Sequence, residues 1–357
     1  MSPRLLGWTD QALFTTMNTQ SASYPVFSDL RWPLKTGIGN VLTELVTRAP
    51  GNAKVVNIGV QGGIGSPLSP LAISRALRQA QARDGVFWSA GFVPPVVSNM
   101  PSVVTVHDLT HLRFYSRLHK AYYALVFKPL YRRCSAIVCV SDYTRREFLA
   151  WSGMSATKVH VVPNGVGSAY AKNQQTYDLP YRYVLYPGNH RSYKNLERLL
   201  AAFARSSLPQ QGIHLVMTGV ANPVLMTQAN GLGIASQLHF MGRVDDADLP
   251  KLYKGALLVA FVSLYEGFGL PLVEAMASGV PVLTSNVSAM PEVAGDAALI
   301  VDPYSVEAIA KGLDALAQDE ALRVDLVGKG RQQVSRFDWD KAASTLWSIV
   351  DHAYRCD

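Results

Sequence analysis

The stretch LLVAFVSLYEGFGLPLVE, residues 257–274, decides how the rest of the chain is read. Its first part, 257–263, is a short continuous apolar run, the pattern of a strand buried on both faces. Gly267 and Gly269 follow and let the backbone pass close to a ligand. Pro271 then suits the first turn of a helix, where its missing N–H costs nothing. A buried strand that passes through a glycine turn into a helix is the unit of a parallel sheet covered by helices. The amides of Phe268, Gly269 and Leu270 at such a turn would point at a phosphate, since unpaired N–H groups and the helix dipole favour anions there. Glu266 stands at the mouth of the turn and Glu274 on the first turn of the helix. A diphosphate can lie between them while each carboxylate takes sugar or ribose hydroxyls. Two glutamates around an ordinary turn are more often a solvated side chain and a helix cap. The glycines, the proline and the preceding strand tip the balance towards a ligand site.

Working outward, the same apolar runs recur along the chain. In the first half they fall at 24–30, 54–59, 85–89, 102–106, 135–140 and 159–162, and in the second at 183–186, 213–218, 237–241, 257–263, 281–284 and 298–301. Helix-like spacing separates many of them, as at 195–205, 271–278 and 305–317. Strand–helix alternation predicts an α/β protein with parallel sheets. Twelve strands are too many for one ordinary doubly wound sheet, so two Rossmann-like domains are expected. A polar, poorly periodic segment at 167–181 marks the join. This gives a first domain over 1–170, in which 1–23 is an extension without periodicity, and a second over 171–339. Residues 340–357 carry apolar spacing that predicts an amphipathic terminal helix. Two such domains facing across a cleft bring strand carboxyl ends and helix amino ends to both walls, which suits an anionic ligand.

Composition agrees. A chain of 357 residues is expected to hold two domains of roughly 100–200 residues each. With 48% hydrophobic and 17% charged residues it is neither disordered nor collagen-like. The three cysteines, Cys134, Cys139 and Cys356, match no disulfide framework and no zinc module, which suits a reducing compartment. The longest apolar run, 256–264, falls well short of the roughly 18 residues of a membrane span. Trp8, Asp10, Gln11 and Asn18 interrupt the region where a signal peptide would be apolar. The expectation is a soluble protein on the cytoplasmic side. Its net charge of +7 is lopsided: residues 1–170 hold 17 basic and 7 acidic side chains, residues 171–357 hold 16 and 19. The first half therefore faces something anionic, whether nucleic acid, a bilayer or a phosphate-bearing substrate. Within 113–133, Arg113, Arg117, Lys120, Lys128, Arg132 and Arg133 alternate with Phe114, Tyr115, Tyr122, Tyr123, Phe127 and Tyr131, with no acid among them. That segment fits an anionic membrane surface as well as it fits a helix with core aromatics and solvated charges. No nucleic-acid recognition spacing is present. No cluster of acidic and histidine residues reads as a metal site.

The block EGFGLPLVEAMASGVPV, 266–282, with its Glu-x7-Glu spacing, resembles the retaining glycosyltransferases of family 4, which have the GT-B fold of two facing Rossmann-like domains. Further segments resemble the same family in the same order: KTGIGN at 35–40, VTVHDL at 104–109, VSDYTR at 140–145, VPNGV at 162–166, PGNHRSYKN at 187–195 and MGRVDD at 241–246. The resemblance implies roles position by position. Glu266 would hold donor-sugar hydroxyls, helped by amides near Phe268, Gly269 and Leu270, and Glu274 would hold the ribose. Lys194 would neutralise the donor diphosphate, and Arg243 and Val244 would lie near the base. Gly37 and Ile38 would approach the phosphates from the first domain. His107 would touch the transferred sugar, with Asp108 beside it. A lone histidine at a strand end is more often structural, but its place in VTVHDL favours the sugar contact. His111 reads as a surface or capping residue. Where many members carry an arginine five residues before the diphosphate lysine, this chain has Asn189; Arg191 is the substitute, and Arg145 a further contributor. The terminal helix is expected to cross back to the first domain.

The activity implied is transfer of a hexose from a nucleotide diphosphate to an acceptor hydroxyl, with retained anomeric configuration and without a metal or other cofactor. The spellings GIG and HDL are similar to those of bacterial mannosyltransferases of polysaccharide assembly. They point to GDP-mannose, with UDP-glucose and dTDP-rhamnose left open. The acceptor expected is a polyprenyl-diphosphate-linked glycan of exopolysaccharide or O-antigen, met at the inner face of the cytoplasmic membrane. Two other readings stand beside this one: a nucleotide-sugar-binding scaffold without turnover, and a nucleotide-sugar epimerase of the same architecture.

Overall fold

The computed structural model describes residues 23–33 and 36–356. Each expected apolar run forms a strand: β1 (Tyr24–Ser28), β2 (Ala53–Asn57), β3 (Val86–Ser89), β4 (Ser102–Val106), β5 (Ala136–Cys139), β6 (Val159–Val161), β7 (Tyr183–Tyr186), β8 (His214–Met217), β9 (Leu238–Phe240), β10 (Leu258–Phe261), β11 (Val282–Ser285) and β12 (Leu299–Val301). They form two six-stranded sheets, ordered β2-β1-β3-β4-β5-β6 and β12-β11-β10-β7-β8-β9, with parallel pairing throughout. Central strands such as β4, β5 and β10 are buried along their whole length, while the edge strands β2 and β12 are half-exposed. That difference explains why the inner strands read as unbroken apolar runs. The fold is the GT-B arrangement of two α/β lobes.

Strand order reverses between β1 and β3 in the first sheet and between β7 and β10 in the second. A crevice opens at such switch points, outside the strand carboxyl ends. The turn Ser192–Lys194 follows β7, and the glycine turn after Glu266 follows β10. The two segments that the sequence singles out thus flank one switch point.

The helix Trp339–Arg355 crosses from the second lobe to the first and covers the first sheet. Gly165 permits the crossing, because a β-carbon there would meet the Trp339 backbone nitrogen at 2.5 Å. Leu346 is fully buried. Trp347 packs edge-on against Trp88 with centroids 5.3 Å apart, and its indole N–H donates to the Leu45 carbonyl at 3.0 Å. Tyr354 stacks on Tyr24 at 4.4 Å. The polar join also differs from a plain linker: Ser168–Lys172 forms a short helix seated on the second lobe. The extension at 1–22 and Lys35 lie outside the described residues.

Leu346→Ala should lower the unfolding free energy by about 2–5 kcal/mol, the cost of a large-to-small change in a packed core. Guanidinium titration followed by tryptophan fluorescence measures it; an unchanged midpoint would show that the terminal helix adds nothing to the first lobe.

Candidate functional site

The two lobes meet at the glycine turn. A β-carbon at Gly267 would lie 1.7 Å from the His107 carbonyl oxygen, so the backbones that end β10 and β4 are in direct contact. The Gly267 carbonyl accepts from the hydroxyls of Ser141 at 2.6 Å and Thr144 at 2.9 Å. The Tyr265 hydroxyl accepts from the Leu109 amide at 2.9 Å and donates to Glu147 Oε2 at 2.5 Å. Glu292 places its two carboxylate oxygens on the amides of Asp142 at 2.8 Å and Tyr143 at 2.7 Å, the first residues of helix Asp142–Ser152. An anion is stabilised at a helix N-terminus by the free amides and the dipole. Here the second lobe supplies that anion to the first.

On the second-lobe side, Lys194 Nζ donates to Glu266 Oε1 at 2.7 Å, both side chains being nearly buried. The ammonium also lies over the rings of Phe261 at 5.1 Å and Tyr193 at 5.2 Å. Asn195, in the left-handed region at φ 64°, anchors this turn by donating to the carbonyls of Val262 and Pro303 at 2.9 and 2.8 Å. Across the switch point, Gly269 has φ 100°, which its missing side chain permits. Among the described residues the amides of Phe268, Gly269 and Leu270 donate to no protein acceptor. The Phe268 ring is buried edge-on against Phe337 at 5.4 Å, leaving only its backbone to serve a ligand. Helix Leu270–Ala277 starts early enough that Glu274 stands on its second turn and not its first. Glu274 is half-buried and accepts from the Tyr253 hydroxyl at 2.5 Å, with the Tyr170 phenol nearby. Burial raises its pKa above the ordinary carboxylate value, and the two phenols pull it back down.

On the first-lobe side, His107 Nε2–H donates to the Ala90 carbonyl at 2.6 Å, which leaves Nδ1 as an acceptor. Burial lowers its pKa, so the ring is neutral. Asp108 Oδ1 accepts from the Thr110 amide at 2.8 Å. His107, Asp108 and Ile38 line a cavity of about 580 Å³ whose walls are largely aromatic, among them Trp32, Phe92, Tyr122 and Tyr123. Arg191 reaches this cavity from the second lobe and donates to the Tyr115 hydroxyl at 3.3 Å. Gly37 is the exposed first residue of helix Gly37–Thr47. Arg243 is exposed and Val244 half-buried after β9, on a loop joined to the one after β8 by a Gly219 N–H to Gly242 carbonyl bond of 2.7 Å.

Two expectations change. Arg145 turns to its own lobe, donating to the carbonyls of Val159 at 2.8 Å and Ala156 at 3.2 Å. His111 is neither surface nor cap: it lines the cavity, stacks on Tyr123 with centroids 3.5 Å apart, and is pushed down to a pKa of about 4 by burial. Asp-x-Asp spacings do occur, at Asp246 and Asp248 and at Asp338 and Asp340. Asp248 pairs with Lys251, Asp338 caps the terminal helix and Asp340 pairs with Arg48, and among the described residues no metal-ligand cluster forms. Sequence reasoning missed Tyr265, Glu147, Glu292, Tyr253 and Tyr170. Only Tyr265, adjacent to Glu266, carried a positional hint.

The basic, aromatic segment divides between core and surface. Tyr123, Phe127 and Tyr131 are buried, whereas Tyr115, Leu118 and Leu125 are 41%, 79% and 77% exposed beside exposed Arg117, Lys120 and Arg133. Leu118 and Tyr115 also edge the cavity. Among the described residues no helix is long and apolar enough to cross a membrane.

Residues 170–333 match the family model for glycosyl transferases group 1, and residues 54–169 match that for glycosyltransferase family 4. The O-antigen chain mannosyltransferase B of Escherichia coli is 32% identical over 221 residues, 58% of this chain and 58% of that protein. The serotype-specific mannosyltransferase WbdA of Escherichia coli is 30% identical over 231 residues, 60% of this chain and 28% of that protein. The chain thus spans just over half the length of the first relative and little over a quarter of the second. The crystal structure of Anabaena HepE in complex with UDP-glucose has a TM-score of 0.74 and 18% identity, covering 92% of this chain and 99% of that one; the likeness is one of fold.

A methyl group at 267 cannot coexist with the His107 carbonyl at the observed spacing. Gly267→Ala should force the lobes apart, costing about 1–3 kcal/mol of stability as overpacking does and raising the radius of gyration in small-angle X-ray scattering. A variant with unchanged scattering and melting would show that the contact is dispensable.

Proposed function

The chain belongs to the family-4 glycosyltransferases, and from that premise we propose that it moves mannose from GDP-mannose to a hydroxyl of a polyprenyl-diphosphate-linked glycan, with retention at the anomeric carbon. One observation carries the reading: at the β7/β10 switch point a nearly buried Lys194–Glu266 pair stands with the turn whose amides at Phe268, Gly269 and Leu270 lack protein acceptors. A diphosphate would draw the ammonium and those amides, and Glu266 would turn to the sugar hydroxyls. Preorganised charges of this kind supply the largest share of catalysis when a charged group departs. In the proposed front-face step the acceptor oxygen bonds to the anomeric carbon, the bond from that carbon to the diphosphate breaks, and the acceptor proton passes to a diphosphate oxygen. Charge on the leaving group is assigned to Lys194 and the amides without a resident metal.

The names of the mannosyltransferase relatives support the sugar. The UDP-glucose in HepE keeps a uridine donor in view. The cavity beside His107, with aromatic walls and Arg191 at its rim, suits the acceptor: rings stack on the flat faces of sugars, and the guanidinium meets an anionic linker. Radiolabelled GDP-mannose, UDP-glucose and dTDP-rhamnose, each incubated with a membrane lipid extract and EDTA, test the donor. The expected outcome is labelled lipid from GDP-mannose alone, lost by about 100-fold or more in Glu266→Ala. Label from another donor alone would reject the mannose reading. Donor binding with no label in either protein would favour the scaffold, and a changed sugar without acceptor would favour the epimerase.

Exposed Leu118 and Leu125 among basic side chains also support peripheral contact with an anionic bilayer, at about 1 kcal/mol per basic residue near the surface. Co-sedimentation should favour phosphatidylglycerol over phosphatidylcholine vesicles, weaken with salt, and weaken further in Leu118→Glu/Leu125→Glu. Equal binding to both vesicles would reject the contact.

A further inference from the structure

The ribose-facing carboxylate is held by two phenols from different parts of the chain. Tyr253, on helix Leu249–Gly255, is fully buried and donates to Glu274 Oε2 at 2.5 Å. Tyr170, on the crossover helix Ser168–Lys172, stands near the same carboxylate and lowers its pKa. Their rings meet edge to face, with centroids 5.3 Å apart and planes at 89°, so each phenol braces the other. A carboxylate offers about four lone-pair positions. Tyr253 takes one, which leaves room for the two hydroxyls of a ribose. Phenolic donors also favour the ionised carboxylate against the burial that opposes it.

From this geometry we propose that Tyr253 and Tyr170 are positioning residues for the donor nucleoside: they fix the orientation and the charge of Glu274, so that it meets the ribose diol without having to reorganise. The inference rests on the reading above, in which Glu274 holds the ribose. Because Tyr170 rides on the segment that joins the lobes, the seat of that segment and the aim of the carboxylate are set together.

Tyr253→Phe and Tyr170→Phe remove one oxygen each and keep the packed rings. Each should raise the KM for the donor about tenfold with kcat within about twofold, the pattern of lost ground-state binding. Titration calorimetry with GDP, or with UDP if that is the nucleotide bound, should show the same weakening without relying on turnover. The acid limb of kcat/KM for the donor should move to higher pH in both variants, since a carboxylate without its phenols takes up a proton sooner. A purely structural role would not move that limb. Unchanged nucleotide affinity and an unmoved acid limb in both variants would overturn the inference. Glu274→Ala separates the two layers: if it leaves nucleotide affinity intact, the ribose reading fails. If it weakens affinity while the phenylalanine variants do not, only the positioning role fails.

Discussion

Only a hydrogen atom fits between residue 267 and the carbonyl of His107. That close approach sets the geometry of everything around it. It brings the carboxyl ends of β10 and β4 together, and so puts the Lys194–Glu266 pair of one lobe beside the His107 and Asp108 of the other. The hydroxyls of Ser141 and Thr144 pin the same peptide, and Tyr265 ties its neighbour to Leu109 and Glu147. A side chain at this position would separate the glycine turn from the aromatic cavity. The glycine therefore serves the meeting of two lobes as much as the bending of one turn.

The ion pair beside it follows from the cost of isolated charge. An ammonium and a carboxylate that are both nearly buried must compensate one another, and removing one partner leaves the other uncompensated. Each is the counter-ion of the other. Glu292 on the amides of Asp142 and Tyr143 plays a similar part at a helix end. At that helix end a carboxylate of one lobe joins it to the other where an anion is favoured.

Much of this was readable from the residues. Twelve apolar runs became twelve strands because parallel strands covered on both faces need continuous apolar sequence, and even the half-exposed edges kept enough of it. The Glu266 turn was legible because glycine and proline constrain the backbone locally. What escaped were contacts made at long range. Tyr253 and Glu274 lie on different helices, Tyr170 sits in a stretch whose polar composition hid a helix, and Glu292 acts across the lobe boundary. His111 was misread because one residue after a turn gives no clue to which way a ring will stack. Arg145, the last residue of a family-like motif, turned to carbonyls of its own lobe for the same reason.

The crossing of the terminal helix has a consequence for how the molecule is made. Trp347 and Leu346 complete the hydrophobic interior under β3, β4 and β5, yet they are synthesised only after the whole of the second lobe. The second lobe has its full sheet and covering helices before that moment. Domains usually fold in the order of their synthesis, amino-terminal first. Here the amino-terminal lobe stays an unfinished shell, with apolar surface uncovered, until the helix that follows the second lobe has been made.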